Sequence, residues 1–423
     1  MNIILNKINL VFFSILPISL IFGNFITNLN ILIIDLILIL YCIKNNYWDW
    51  IKNKYFKLFF IFYLYLILNS SFNLFYHQSF GYDGLIRSIF FIKFILFFFS
   101  FQILLKDNFH LQKVLFFWLI IIVLTIFDVF FELFFGHNVL GFTSKDTTRI
   151  VSFFYDENIV GGYLFAIGFS TVTYFLINKN TNDKLKLFCN ILLILLPITI
   201  MITGERSNFI KSILLFSLLF IFVKQNFLLF SKKIFFLLIV IILGVLLFSK
   251  PSLINKQLEV YERMTNINTS IKDRDNLFLP IQNIKYFSHY DTALKIFLNF
   301  PLNGVGNKNF RKECSNEKYY NQKLPLITEL RCSTHPHQIH FELLSEHGII
   351  GYLSLLYIIF SNIITNLKKN KNNSSPFIYN NNFYLLVFLV PLLPSGSLFS
   401  TFYGTLFWIV FSLSNLDLIN KNN

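Results

Sequence analysis

Charged side chains are scarce. Asp, Glu, Lys and Arg make up 14% of the 423 residues against 55% hydrophobic, and the mean hydropathy is +0.60. Long apolar runs recur from end to end, which excludes a soluble domain and makes the chain an all-α polytopic membrane protein. Acidic residues are the scarcer sign, 22 against 36 basic, for a net charge of +14. In a soluble protein that excess would suggest nucleic acid. In a membrane protein excess Lys marks cytoplasmic loops, so no nucleic-acid partner is expected. Glycine-rich phosphate-binding and dinucleotide motifs are missing, as is any Ser-His-Asp arrangement, and no cofactor is expected. Nor does a small-residue cleavage site close Met1–Thr27, which reads as a first membrane helix. The 56 Phe, with abundant Ile, Asn and Lys, reflect a nucleotide bias and carry no functional weight.

The apolar runs predict about twelve membrane helices, near 8–27, 30–45, 56–76, 87–105, 113–135, 158–178, 186–203, 207–224, 232–249, 339–366, 382–396 and 398–417. The last two are separated by Pro394-Ser395-Gly396-Ser397, which reads as a tight turn. The chain then falls into three parts: helices over 1–249, one large hydrophilic loop over 250–338, and helices over 339–423. With the N-terminus inside, the inner loops carry Lys44, Lys52, Lys54 and Lys57, then Lys106 and Lys113, Lys179 to Lys186, Lys224 to Lys233, and Lys368 to Lys371. That alternation follows the positive-inside rule and places 250–338 outside, in the periplasm of a bacterial inner membrane.

Arginine does not follow lysine. Its seven positions, Arg87, Arg149, Arg206, Arg263, Arg274, Arg311 and Arg331, all fall on the outer side in this topology. Guanidinium binds phosphate bidentately and keeps its charge when partly buried, so outer arginines suit an anion held there. The alternative for about half of them is ordinary loop ion pairs. Arg206 stands in the short outer turn Gly204-Glu205-Arg206-Ser207, with Lys211 a turn deeper. An ionisable residue at that depth faces the bundle interior or snorkels to bulk lipid phosphates.

In the long loop, Tyr290–Phe300 has the period of an amphipathic helix, with Ala293, Ile296, Phe297 and Phe300 on one side. It stops at Pro301-Leu-Asn-Gly304-Val-Gly306, which either offers backbone N–H groups to an anion or is a plain structural turn. Cys42 and Cys189 sit in apolar runs and should be inert. Cys314 and Cys332 share the one extracytoplasmic loop, where oxidation is allowed, and are predicted to pair and to hold Arg331 and 335–340 in place.

The stretch that organises the chain is Thr334-His335-Pro336-His337-Gln338 through Gly348-Ile349-Ile350-Gly351. Read as one helix from Gln338, the eleven residues from His337 to Gly348 span about three turns, so the two share a face. An imidazole there titrates near neutrality and can take a proton; the small residues below admit a helix or a lipid chain. The four histidines His335, His337, His340 and His347, with Glu342 and Glu346, raise a zinc site, His337 and His340 being three apart with Glu342 in range, but the spacing fits no standard motif and no metal is expected. For His335, His340 and His347 a structural role is the better reading.

His337-Gln338-x9-Gly348-x-x-Gly351 resembles the signature of the bacterial O-antigen ligase family, a signature shared with O-antigen polymerases. The Pro301-x-x-Gly304-x-Gly306 and Gly204-Glu205-Arg206-Ser207 turns stand where that family has its own, and the twelve-helix layout agrees. The resemblance implies a metal-independent membrane glycosyltransferase. Its donor would be a glycan on undecaprenyl pyrophosphate, and its acceptor a sugar hydroxyl of lipid A-core or another glycan. His337 would be the general base and Arg206 a pyrophosphate ligand. Ligases usually carry a second arginine shortly before the Pro-x-x-Gly-x-Gly turn. Here Lys285 and His289 occupy that neighbourhood, so Arg274, Arg311, Lys285 or His289 would take the role. The rival within the family is a polysaccharide polymerase using the same donor. A flippase for the lipid-linked glycan would need midplane charges and internal repeats, and only Lys93 and Lys211 lie within helices.

Overall fold

The computed structural model describes residues 3–76, 81–144, 149–155, 157–178, 180–222, 285–320, 330–370 and 376–416. These residues are helical, with no strand among them. In order, the helices are α1 (Ile3–Ser14), α2 (Leu16–Ile21), α3 (Asn24–Asn45), α4 (Lys54–Tyr76), α5 (Asp83–Ile89), α6 (Ile92–Leu104) and α7 (Asn108–Phe135). Then come α8 (Val160–Leu176), α9 (Asp183–Ile202), α10 (Arg206–Phe222), α11 (Lys285–Asn299), α12 (Phe310–Glu313), α13 (Ile339–Asn370), α14 (Pro376–Phe388) and α15 (Thr401–Ser414).

Six of the described helical stretches are long and apolar enough to cross a membrane: Asn24–Asn45, Lys54–Tyr76, Asp83–Leu104, Asn108–Phe135, Asp183–Ile202 and Ile339–Lys369. Val160–Leu176 and Thr401–Ser414 are shorter apolar helices. The chain is thus a multi-pass helical membrane protein. The expected span at 232–249, together with Arg263 and Arg274, lies outside the described residues.

The boundaries move where proline and glycine act. The first two expected spans divide at Gly23 (φ 98°), not at 27–30, and Pro17 starts a separate short helix α2. The expected tight turn at 394–397 is a longer non-helical segment, 389–400. Pro391 and Pro394 lack the N–H a helix needs, and Leu392 takes φ 67°. Helix α8 contains a π-helical turn at Leu164–Gly168.

Packing follows the apolar faces. Phenylalanine fills the interior: Phe59, Phe62, Phe97, Phe98 and Phe101 are fully buried around Trp118 and Trp408. Phe25, Phe75 and Phe134 face outward, as expected of a chain whose solvent is lipid. A second, small core beneath α11 joins Ala293, Ile296, Val305, Phe310, Cys314 and Tyr319. It confirms the amphipathic helix expected at 290–300 and seats the polar segment on α13.

Candidate functional site

The two glycine motifs lock onto each other. Helix α13 breaks at Gly348, with φ 59° and ψ −167°, a region open essentially to glycine alone. Into that break runs the 301–306 turn. Ile349 N–H donates to Pro301 O (2.8 Å) and Ile350 N–H to Leu302 O (3.3 Å). In return Val305 N–H reaches Ser345 O (2.9 Å) and Gly306 N–H reaches Glu346 O (2.8 Å). A Cβ on Gly348 would stand 2.2 Å from Leu302 O, and one on Gly304 2.5 Å from Glu346 C. The 301–306 turn is therefore structural: its N–H groups are spent on α13 rather than offered to an anion. The break also corrects the helical phase drawn from His337 to Gly348, because no single helix joins them. Gly351 lies against the Tyr65 ring, 2.8 Å from where its Cβ would be, and the Tyr65 hydroxyl donates to His347 O.

Two buried glutamates one turn apart on α13 extend the lock. Glu346 accepts the backbone N–H of Lys308 (2.8 Å) and of Phe310 (3.3 Å). Glu342 accepts the Ser397 hydroxyl and Leu398 N–H (3.2 Å), and pairs with the Lys308 ammonium at 3.5 Å. Lys308 also donates to Ser397. A buried pair of this kind stands only when its remaining donors and acceptors are satisfied, as here.

The irregular 389–400 segment is held by ionisable side chains. Lys211, buried on α10, donates to Pro394 O (2.8 Å); His340 contacts Leu389 O (2.7 Å) and Tyr352 Oη (3.1 Å). Non-helical backbone at membrane depth persists only when protein groups satisfy it in this way. Ser395 N–H then donates to His337 O at 2.7 Å. His347 is buried, and its ring packs on Phe399 at 4.7 Å.

His337 itself lies ahead of α13, in the left-handed region at φ 59°. Its Nε2 is 2.8 Å from Ser333 Oγ. Its ring lies 4.1 Å from that of His335 and 5.4 Å from those of His289 and Tyr286. Of the four candidates for a second donor ligand, the structure brings His289 directly to His337. Arg311 is exposed on α12, with its charge felt at His335. Lys285 opens α11, its side chain outside the described residues, as is Arg274. Cys314 and Cys332 are bonded, and Arg331 is used structurally: its guanidinium donates to Cys314 O (2.8 Å) and Ser315 O (3.0 Å). The described residues hold no group of His, Cys, Asp and Glu with metal-site geometry.

Burial above all, then the charge of Lys308, pushes the His335 imidazole down to about 3. An unfolded histidine titrates near 6.5, so below that pH the unfolded chain takes up a proton that the native state refuses. Stability from this group is complete above about pH 6.5 and is lost as pH falls toward 3. His335→Gln is expected to flatten the fall in melting temperature between pH 7 and pH 5.

The Arg206 turn is built from its neighbour. Glu205 is buried, and its carboxylate accepts Gly161 N–H (2.5 Å) and Gly162 N–H (3.2 Å) at the start of α8 and Asn208 Nδ2–H (2.6 Å) on α10. A Cβ on Gly161 would stand 2.9 Å from that carboxyl carbon. Glu205 is therefore spent, and Arg206 projects exposed beside it. Close enough to repel it electrostatically is Arg149. The Arg149 loop is pinned from below by two α7 carboxylates. Glu132 accepts Val151 N–H (3.3 Å) and Ser152 N–H (2.6 Å), and Asp128 accepts the Ser152 hydroxyl (2.6 Å). The buried Glu205 carboxylate also faces Arg149 electrostatically, so an anionic side chain already stands near both guanidiniums. Sequence reading placed Arg149 in an outer loop without pairing it with Arg206, because the partnership crosses the bundle. Lys308 was missed altogether; nothing in its local pattern separates it from a surface lysine.

A groove of about 660 Å³ runs beside the Gly348 break between Tyr65, Leu68, Phe72, Phe75, Asn303 and Ile350. The fold and this site define a multi-pass membrane protein with a histidine cluster ahead of a helix broken at Gly348. The family model described as O-antigen ligase matches residues 191–356, so this part of the chain is similar to that family. No curated protein matches the chain.

Proposed function

We propose that the protein is an O-antigen ligase-like glycosyltransferase. It moves a glycan from undecaprenyl pyrophosphate to a sugar hydroxyl of lipid A-core at the periplasmic face of the inner membrane. The observation that carries this reading is that one family match, 191–356, takes in both the Arg206 turn and the His337 segment. His337 removes the proton of the acceptor hydroxyl as it attacks the anomeric carbon, with inversion. Arg206 and Arg149 take the charge that develops on the departing pyrophosphate, a task guanidinium performs without a divalent ion. The groove beside Gly348 suits the prenyl chain, being largely apolar and open to the lipid.

The test is a gel of surface lipopolysaccharide from a gene deletion beside an assay of carrier-linked glycan. Loss of long glycan from lipid A-core with polymer accumulating on the carrier supports the ligase. A core bearing a single repeat unit identifies a polymerase instead. Unchanged pools overturn both. In complementation, Arg206→Gln and Arg149→Gln are each expected to lower transfer by about 10²-fold, with protein levels unchanged. Arg149→Lys should recover only part of the loss, because an ammonium cannot bind two phosphate oxygens in a fork.

A further inference from the structure

A second cationic site lies apart from Arg149 and Arg206. Between α3, α5, α6 and the start of α15 is a cavity of about 360 Å³ whose polar lining includes Asn28, Arg87, Lys93 and Thr401. Lys93 sits over the Phe94 ring at 4.8 Å, and its ammonium donates to Asn28 Oδ1 at 2.5 Å. Asn28 in turn donates to Thr401 Oγ1 at 3.1 Å. This chain of contacts fixes the ammonium at the wall of the cavity. Arg87 stands one turn into α5, exposed, and among the described residues no carboxylate lies within ion-pair distance of it. Among the described lining residues Asp83 is the one carboxylate against the two cations, and the buried Asp35 faces Lys93 from behind.

The mouth is apolar. Leu32, Ile86 and Phe90 line it and are 47%, 47% and 57% exposed. On a membrane-spanning bundle such residues face acyl chains. Arg87 lies on α5, and Lys93 on α6 reaches Asn28 in the first turns of α3, so both charged groups stand toward the ends that the lysine pattern assigns to the outer side. A guanidinium and an ammonium at headgroup depth, flanked by exposed apolar side chains, match an amphiphile with a phosphate head. We propose that this cavity binds the anionic phosphate headgroup of a membrane lipid, with Arg87 and Lys93 on the phosphate oxygens and the chains along Leu32 and Phe90.

The cavity touches the histidine site through one segment. Phe399 and Thr401 line it, while two residues earlier Ser397 and Leu398 are held by Glu342, and Phe399 packs on His347. A lipid seated there would therefore stiffen the irregular segment whose Ser395 holds His337.

The test is binding, independent of glycan transfer. Purified protein is titrated with dioleoyl phosphatidylglycerol, dioleoyl phosphatidylcholine and inorganic phosphate, and retained ligand is read by native mass spectrometry. The anionic lipid should bind at least about tenfold more tightly than either comparator, and Arg87→Gln should weaken it about tenfold. Arg87 is exposed, so that variant keeps its melting temperature. Lys93→Gln should weaken the same lipid. Arg149→Gln should leave lipid binding intact. Equal binding of the zwitterionic lipid or of inorganic phosphate overturns the proposal, as does wild-type lipid retention by Arg87→Gln.

Discussion

Replacing His337 is expected to cut glycan transfer by about 10²- to 10⁴-fold, the range that a positioned general base contributes. Two substitutions separate chemistry from folding. His337→Ala removes the imidazole but leaves a β-carbon at φ 59°, where an L residue is strained. Asn tolerates that backbone region, so His337→Asn keeps the local conformation and the Ser395 N–H to His337 O bond without offering a base. Both variants should insert and melt near wild type, and both should fail to move glycan from the carrier in membrane vesicles. Wild-type transfer by a correctly inserted His337→Asn protein would remove His337 from the chemistry. The adjacent imidazole of His335 does not substitute for it. Held neutral down to about pH 3, it is too weak a base to take a proton near neutrality.

Gly348→Ala should be the most damaging single-atom change to stability. The backbone at φ 59°, ψ −167° excludes a β-carbon on its own terms, at roughly 1–3 kcal/mol. The new methyl would also stand 2.2 Å from Leu302 O, a backbone atom that cannot swing aside. Relief requires the 301–306 turn to lift from α13, losing the bonds from Ile349 and Ile350, and overpacking of this kind costs roughly 1–3 kcal/mol more. A fall in melting temperature in detergent is expected, with loss of transfer because the turn also carries Lys308. Gly351→Ala is the internal comparison. Its methyl would meet the Tyr65 ring and the His347 side chain, with no positive φ, so the loss should be smaller. Equal melting temperatures for Gly348→Ala and wild type would mean that the interlocked turn does not hold α13.

How much of this is legible in the chain depends on the range of the interaction. Periodicity and apolar length mark α4, α9 and α11 closely, since each is a local property of consecutive side chains. Cys314 and Cys332 pair as compartment logic requires. The histidine and glycine signature is equally visible as a string. Its meaning is not. Gly348 reads as one face of a continuous helix until a second segment is known to enter the break. The proline-bounded 389–400 segment reads as a tight turn until Lys211, His340 and Glu342 are seen satisfying its backbone.

The sequence by itself determined the membrane class, most helices, the disulfide, and the singling out of His337 and Arg206. All rest on composition, on spacing, or on a string of residues that suits one chemistry. Tertiary structure decided the rest. It brought His289 and His335 to His337, turned Lys308 into a buried ion-pair partner, and converted two glycine motifs into one lock. Those are contacts between residues far apart in the chain, set by which helix faces meet. Side-chain type limits what such a contact can be, but only the packed bundle chooses which one forms.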